Sequence, residues 1–564
     1  MPTLHFKGKT FVQNHHLAVK YHQLVPRKDL SVLVPPSGGG GGISLHDNLI
    51  IQGDNLKALK ALLPTYAGKI KCIYIDPPYN TGNEKWVYND NVNSPMIKEW
   101  LGKEVDIEDM TRHDKWLCMM MPRLKLLREL LKDDGTIFIS CDDNELPHLR
   151  NILDEIFGES NFFSQVIVRA NSRGQTYNQI AKTHEYLLIY TKTEETELFE
   201  LKKNDDTNDL NLIDDIGAFN IRELRNRNPK FGKHNRPNLF YPIYINPDIK
   251  DKDGFCLVSL TESKEFKIMV EPFNSQVVES CWRWGKDKVS KNITSKTLTS
   301  NLIAKEKGNG SYGIYEKYRK TTFKPKSIWD DNSFLTETGT IELRELGFEN
   351  QFDFPKPISL IKQCIELSTT KDDIVLDSFA GSGTTGHAVL KLNKETGVER
   401  KFIIVEMEDY AKTLTSERIR RAIKGVPKST NFKEALGGTF SYFELGPTIE
   451  MESILQGKDL PSYEEFARYI FYTATGEEFS EKKINSTTGF IGETKNYELY
   501  MFYKPDVEWL KRNALTLDGV KAMPKFKGKQ RLVFAPAKYV DDYTCLENRI
   551  DFCQLPYEIY RIQK

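Results

Sequence analysis

The stretch Ile374 to Leu390, IVLDSFAGSGTTGHAVL, decides the fold. Its apolar start reads as a strand ending at Asp377, and Gly381-Ser382-Gly383 then turns the chain into a helix running to about Leu392. Glycine is needed there because the backbone must take positive φ values and pass close to a ligand. The helix start offers N–H groups and a potential that suits a carboxylate or phosphate. A second strand, Phe402 to Val405, ends at Glu406, an acid able to accept hydrogen bonds from two ribose hydroxyls. The unit suits an adenosine-containing ligand. Gly381, Gly383 and Gly386 also match GxGxxG, with Glu406 20 residues beyond Gly386, so a nicotinamide oxidoreductase is an open alternative. Position argues against it. Only one clear strand follows the turn before a separate C-terminal unit, so the sheet must be completed from upstream.

Upstream, strands are expected in NLIIQGD (48–54), Ile70 to Ile75, GTIFIS (Gly135 to Ser140) and YLLIY (Tyr186 to Tyr190). Helices are expected over Leu56 to Leu63, Trp116 to Leu131 (kinked or starting near Pro122) and Leu146 to Phe157, with Ile358 to Leu367 and Asp409 to Lys424 further on. Such alternation predicts an α/β fold, and a sheet assembled from both sides of an insertion predicts a permuted strand order. The expected organisation is an N-terminal extension and Gly-rich linker (1–45, with Gly38 to Gly42), a first catalytic half (46–195), an inserted domain (196–340), a second, cofactor-binding half (341–444) and a C-terminal mixed α/β domain (445–564).

Composition narrows the class without naming a partner. The chain has 564 residues, is 39% hydrophobic and 28% charged, and carries a formal net charge of +0. No apolar stretch is long enough to span a membrane and no signal peptide is visible, so a cytoplasmic location is expected. Eight cysteines form no CxxC pair, which predicts free thiols rather than a zinc site. Ten histidines, among them His15-His16 and the well-separated His113, His148 and His184, predict no metal site. His387 reads as a helix-face residue, and Met119 to Met121 as core.

The strand Ile70 to Ile75 stops at Asp76-Pro77-Pro78-Tyr79, at a strand end, where α/β sheets place their ligands. Two prolines hold this backbone extended. They fix the Asp76 carboxylate, the Pro77 carbonyl and the Tyr79 ring in a small space. Methylation of an aromatic amine needs this set. The lone pair of adenine N6 is delocalised, and two acceptors on its two hydrogens favour a more tetrahedral nitrogen. Stacking on Tyr79 holds the base, worth about 1–3 kcal/mol, after the base has been flipped from its duplex. The polar stretch Asn80 to His113 reads as a loop closing over that base.

With both motifs in hand, the chain resembles the amino-methyltransferases of DNA in their permuted (beta) order: catalytic DPPY first, target-recognition domain next, D-x-F-x-G-S-G turn last. IDPPYNTGNEKWVYND (Ile75 to Asp90), Gly53-Asp54, FPKPISLI (Phe354 to Ile361) and FCQLPYEI (Phe552 to Ile559) resemble the modification (Mod) subunits of type III restriction systems. The resemblance implies a Rossmann-like S-adenosylmethionine-dependent methyltransferase sheet acting on adenine N6 in double-stranded DNA. Catalysis falls to Asp76, Pro77, Pro78 and Tyr79. The cofactor falls to Asp377, Phe379, Ala380, Gly381, Ser382, Gly383 and Thr384, with Glu406 on the ribose. Asp54, Lys356 and Pro357 would close the same pocket. A homodimer is implied, joined in the family by an ATP-dependent restriction subunit; this chain has no GxxxxGK[ST] loop of its own. N4-cytosine methylation is the near alternative, although that group usually has Ser where Asp76 stands. An RNA or protein amine as acceptor, or a DNA-binding subunit with an inactive methylase, fits the motifs less well.

The insertion carries the DNA expectation. Arg283 to Lys326 holds twelve Lys or Arg against three acids, interleaved with Tyr312, Tyr315, Tyr318, Trp282 and Trp284. A second basic stretch runs from Arg222 to Arg236. This composition suits phosphate neutralisation with side chains left for base edges. Arg283, Lys286, Lys288, Lys291, Arg319 and Lys320 are the candidate contacts.

Overall fold

The computed structural model describes residues 3–33, 42–81, 111–174, 179–203, 210–274, 276, 278–449, 460–477, 479–480, 484–524 and 528–555. The glycine run up to Gly41, loop positions 82–110 and the ending 556–559 lie outside them. Two compact units are present, residues 1–199 with 326–564, and 200–325.

The first unit is built on a ten-stranded sheet. Its strands are β1 (His22–Pro26), β2 (Leu49–Gln52), β3 (Ile70–Ile75), β4 (Leu131–Cys141), β5 (Phe162–Arg169), β6 (His184–Thr191), β7 (Ile328–Trp329), β8 (Ile374–Asp377), β9 (Lys401–Glu406) and β10 (Ser441–Thr448). They lie in the order β1-β10-β2-β9-β8-β3-β4-β6-β5-β7. The six from β10 to β4 are parallel throughout. Strand β6 then runs antiparallel to β4. Permutation is visible in one pairing: β8 lies parallel to β3, with Val375 opposite Cys72 and Leu376 opposite Ile73.

Alternation along the strands explains why both faces are covered. Leu49, Ile51, Ile73, Ile75, Leu376, Ile403 and Val405 join one core with α1 (Asn55–Tyr66), α2 (Arg112–Leu130) and α3 (Leu146–Phe157). Their neighbours Ile50, Cys72, Tyr74, Val375, Phe402 and Ile404 are buried too and face the other way. That face takes α4 (Ile358–Ser368) and α5 (Thr384–Thr396). In α5 a Cβ on Gly386 would stand 3.4 Å from Phe402 and 2.8 Å from Ile419 of α6 (Ser416–Lys424), so the third glycine of the motif serves close packing. All eight cysteines are free and buried. Met119 to Met121 are core residues. No described helix is long and apolar enough to cross a membrane.

Several boundaries differ from the sequence expectation, each for a pairing reason. The inserted unit ends at Pro325 rather than residue 340, because β7 adds to β5 of the main sheet. The N-terminal segment is not a detached extension: β1 pairs antiparallel with β10, which itself adds to β2. Residues 441–448 therefore belong to the main sheet. Beyond them, Phe490–Glu493, Tyr497–Met501, Gln530–Ala535 and Ile550–Gln554 form a four-stranded sheet packed on helix Tyr463–Thr475 through Phe466, Ile470, Leu499 and Phe534. Pro122 sits inside α2, which starts ten residues earlier at Arg112 behind a Thr111–Asp114 capping box.

The second unit, taken by itself, is a seven-stranded antiparallel sheet from Leu212 to Tyr318. Ile243, Ile245, Cys256, Trp282 and Leu302 fill its core.

Candidate active site

Strands β2, β9, β8 and β3 are neighbours and parallel, so their carboxyl ends form one row. Gly53-Asp54, Glu406, Asp377 and Asp76 stand at those four ends in that order. Sequence motifs more than 300 positions apart thus share one edge, the edge at which open α/β sheets bind ligands. A cavity of about 510 Å³ lined by Asp47, Asn48, Arg400, Lys401 and Gly438 lies at the opposite, amino ends of β2 and β9.

The glycine turn is held by its own strand tips. Asp377 accepts from the Phe379 amide (2.9 Å) and the Thr385 hydroxyl (2.5 Å). Gly381 and Gly383 take φ values of 51° and 82°, and a Cβ on Gly383 would press on Thr415 at 3.1 Å. Gly383 donates to the Ala380 carbonyl, and Ala380 to that of Val405. Burial pushes the Asp377 carboxyl up to about 7, against the Thr385 and Phe379 hydrogen bonds.

Glu406 is less open than the sequence implies. Its Oε2 accepts the Gly381 amide (2.7 Å), and its Oε1 accepts the amides of Met407 (2.9 Å) and Glu408 (3.1 Å). The carboxylate here organises the turn, and a ribose would have to share it. Sequence reasoning missed Arg418 of α6, fully buried, which donates to Ser382 Oγ (2.8 Å) and Thr384 Oγ1 (2.7 Å). Burial lowers its affinity for a proton, to about 10, with Glu342 opposing. No signal in the sequence sets Arg418 apart from the other arginines of that helix. Asp54 caps α1 and lies 3.4 Å from Arg123, which also donates to Asn55 Oδ1 (2.6 Å). Asn55 in turn donates to the Ser378 carbonyl, tying the β2 tip to the β8 tip.

The DPPY turn is equally braced. The Trp116 indole of α2 donates to the Pro78 carbonyl at 2.6 Å. Tyr79 donates its hydroxyl to Asp76 Oδ1 (2.8 Å), with Glu185 Oε2 at 3.1 Å. Lys356 stands against the DPPY turn. Its Nζ donates to Glu185 Oε2 (2.6 Å) and to the Tyr79 hydroxyl (2.7 Å), and lies 3.5 Å from Asp76 Oδ1. It also stands 5.1 Å from the Tyr79 ring centre. Pro357 caps α4 immediately after it. Glu185, on β6, was not singled out from the sequence; the available signal was an acid inside an otherwise buried strand. Burial raises Asp76 to about 6, Lys356 opposing and Glu185 assisting. For Lys356, burial works against the charge, but Asp76 and Glu185 prevail and raise it.

Of the expected DNA contacts in the second unit, two arginines are engaged internally. Arg319 donates to Asp214 Oδ2 (2.6 Å) and the Gly217 carbonyl (2.8 Å). Arg283 pairs with Glu316 (2.9 Å) and donates to the Glu223 carbonyl (2.6 Å). Lys320 is exposed and bonds Glu200 at 2.5 Å. Lys286, Lys288 and Lys291 are exposed around one short helix. Lys288 lies 4.3 Å over the Trp284 ring and Lys286 5.5 Å over that of Tyr241.

The sequence model of the DNA methylase family matches residues 70–417, taking in the DPPY turn, Lys356, the glycine turn and Glu406. The chain is 35% identical over 387 residues to the type III restriction-modification enzyme EcoPI Mod subunit of Escherichia phage P1, covering 64% of this chain and 58% of that one. It is also 35% identical to the type II methyltransferase M.KpnI of Klebsiella pneumoniae, covering 63% and 80%. Identity to the StyLTI Mod subunit of Salmonella typhimurium is 33%, covering 64% and 52%. The chain belongs to the DNA methylase family. It spans little more than half the length of the two Mod subunits. Family membership removes the support for a nicotinamide reading of the GxGxxG turn.

Proposed function

We propose that the chain is a site-specific DNA methyltransferase that modifies adenine N6 using S-adenosylmethionine. The observation carrying the reading is the adjacency of the Asp76 and Asp377 strand tips. It sets the DPPY turn beside a backbone cradle that lacks side chains at Gly381 and Gly383. The cradle suits the amino-acid end of such a cofactor, with Asp377, Phe379 to Thr384 and Asp54 around it. When bound, S-adenosylmethionine supplies an electrophilic methyl group.

The chain's own groups do the rest. Asp76 and the Pro77 carbonyl accept the two hydrogens of the target amine, while the Trp116 bond to Pro78 keeps that backbone still. Tyr79 stacks on the flipped base, and its hydroxyl hydrogen bond fixes the Asp76 oxygen. Lys356 offsets the charge of Asp76 and Glu185, so that Asp76 is ionised near neutral pH. Asp76 then takes the proton released from the amine, a task suited to a carboxyl raised to about 6. Positioning and fixed charge supply the rate.

The Mod relatives extend the proposal to a modification subunit of a type III system, homodimeric and cytoplasmic, with a separate restriction subunit as partner. Lys286, Lys288 and Lys291, exposed and without an acidic partner named above, are the candidate contacts that best support DNA binding. Incubation of the purified chain with duplex DNA and labelled S-adenosylmethionine, followed by nucleoside analysis, tests the reading. N6-methyladenine is expected. N4-methylcytosine would reassign the base, and no transfer to any duplex would overturn the activity.

A further inference from the structure

One strand along from that row, past the carboxyl end of β4, a second set of ligating side chains surrounds Glu145. This residue precedes α3, and its side chain is 0% exposed. His113, in the first turn of α2, places Nδ1 2.7 Å from Glu145 Oε1. His148, three residues along on the same face of α3, places Nδ1 3.0 Å from Glu145 Oε2. The ligating atoms of all three lie within 4.8 Å of one another. The two imidazole rings, expected to be well separated, face each other with centres 4.5 Å apart and a 31° tilt.

Two observations point to a cation. A buried carboxylate is costly unless its oxygens are satisfied. Oε1 is served by His113 and by Asn80 Nδ2 at 2.5 Å. Oε2 and the facing His148 Nδ1 are both buried and, among the described residues, have no hydrogen-bond partner, because their approach lacks hydrogen-bond geometry. An ion between them satisfies both atoms; for His113 Nδ1 to join them it would give up its hydrogen bond to Oε1, losing any proton there to solvent and leaving Oε1 to Asn80. Second, two imidazole nitrogens and one carboxylate oxygen are the donor set of borderline first-row divalent ions, bound at about 2.0–2.2 Å. Asn80 on the other carboxylate oxygen is the kind of outer hydrogen bond that orients a metal-binding carboxylate. Both histidine side chains remain 32% exposed, which leaves a path for entry.

We propose that His113, Glu145 and His148 form a binding site for a divalent transition-metal ion of the zinc type. Its place gives it a positioning role. Asn80 directly follows Tyr79 and donates also to the Arg112 carbonyl (3.2 Å). The ion would tie the starts of α2 and α3 to the end of the DPPY turn. It touches none of the groups that handle the amine.

The test uses the full chain, stripped with chelator and titrated with zinc chloride alone in a calorimeter, then with cobalt(II) followed by visible absorption. One saturable equivalent per chain is expected. His113→Ala and His148→Ala should each weaken it by more than about tenfold, the least that even outer-shell losses cause. Glu145→Gln risks misfolding, so the half-exposed histidines carry the test, with circular dichroism confirming their fold. No saturable binding, or equal binding in both histidine variants, overturns the site. Neither DNA nor S-adenosylmethionine is present, so the result stands apart from methyl transfer.

Discussion

Lys356 donates a hydrogen bond to the hydroxyl of Tyr79 across 277 positions of chain, at 2.7 Å. The contact ties the entry to α4 to the DPPY turn and puts one cation among Asp76, Tyr79 and Glu185. Without it, two carboxylates would face each other in a recess. Lys356→Met should therefore lower kcat by about a hundredfold, the lower end of what a positioned proton-handling group supplies. It should also move the acid limb of the pH–rate profile upward. Steady-state kinetics across pH check both; an unshifted limb would remove Lys356 from the control of Asp76.

In the unaltered chain the sign follows from Asp76 itself. Its carboxyl is raised to about 6, and under the proposed function it is the ionised form that accepts the amine hydrogens. Transfer should hold steady above pH 7 and fall as pH drops through about 6. Asp76→Ala should abolish transfer while DNA and cofactor binding persist in equilibrium assays. Equal loss of binding would refute the role assigned to this carboxylate.

Asp377 makes a stability prediction. Its folded-state carboxyl is raised to about 7 by burial, above the ordinary aspartate value near 3.9. The folded chain holds a proton that the unfolded chain has lost between these values. This group's contribution to stability is thus fully present below about pH 4 and is lost as pH rises to about 7. Asp377→Asn keeps an acceptor for the Phe379 amide and cannot ionise. Its melting temperature, measured from pH 4 to 8, should fall less with pH than that of the parent. Parallel curves would show that Asp377 is ionised throughout.

What the sequence made legible, and what it hid, follows from the range of the forces involved. Strand ends, glycine turns and the DPPY turn are local: alternation, φ preference and proline rigidity mark them within ten residues. The partnership of β3 with β8 was also legible, because an unfinished sheet on each side of an insertion must be completed by the other. Side-chain partnerships were not. Nothing around Lys356 says that it faces Tyr79 rather than the glycine turn, and Glu185 sits in a strand whose pattern otherwise speaks only of burial. Composition misled in the second unit, where the charge surplus hid Arg283 and Arg319 inside ion pairs.

The second unit thus holds two kinds of basic residue, and experiment can tell them apart. The side chains of Asp214 and Lys317 are each 1% exposed and lie 2.5 Å apart, with Arg319 completing the group. Although burial opposes it, Arg319 and Lys317 hold the Asp214 carboxyl down to about 2. Removing one member of such a group strands the others and costs about 3–5 kcal/mol. Asp214→Ala should therefore lower the unfolding free energy by about that amount in denaturant titration. The loss should be the same at low and high salt, because buried charges are poorly screened. Lys286→Ala, Lys288→Ala and Lys291→Ala should do the opposite, leaving stability alone and weakening DNA binding. If each contacts a phosphate, the slope of log affinity against log salt becomes shallower by about 0.9 per lysine removed. A triple variant with an unchanged slope would move the DNA surface elsewhere on the chain.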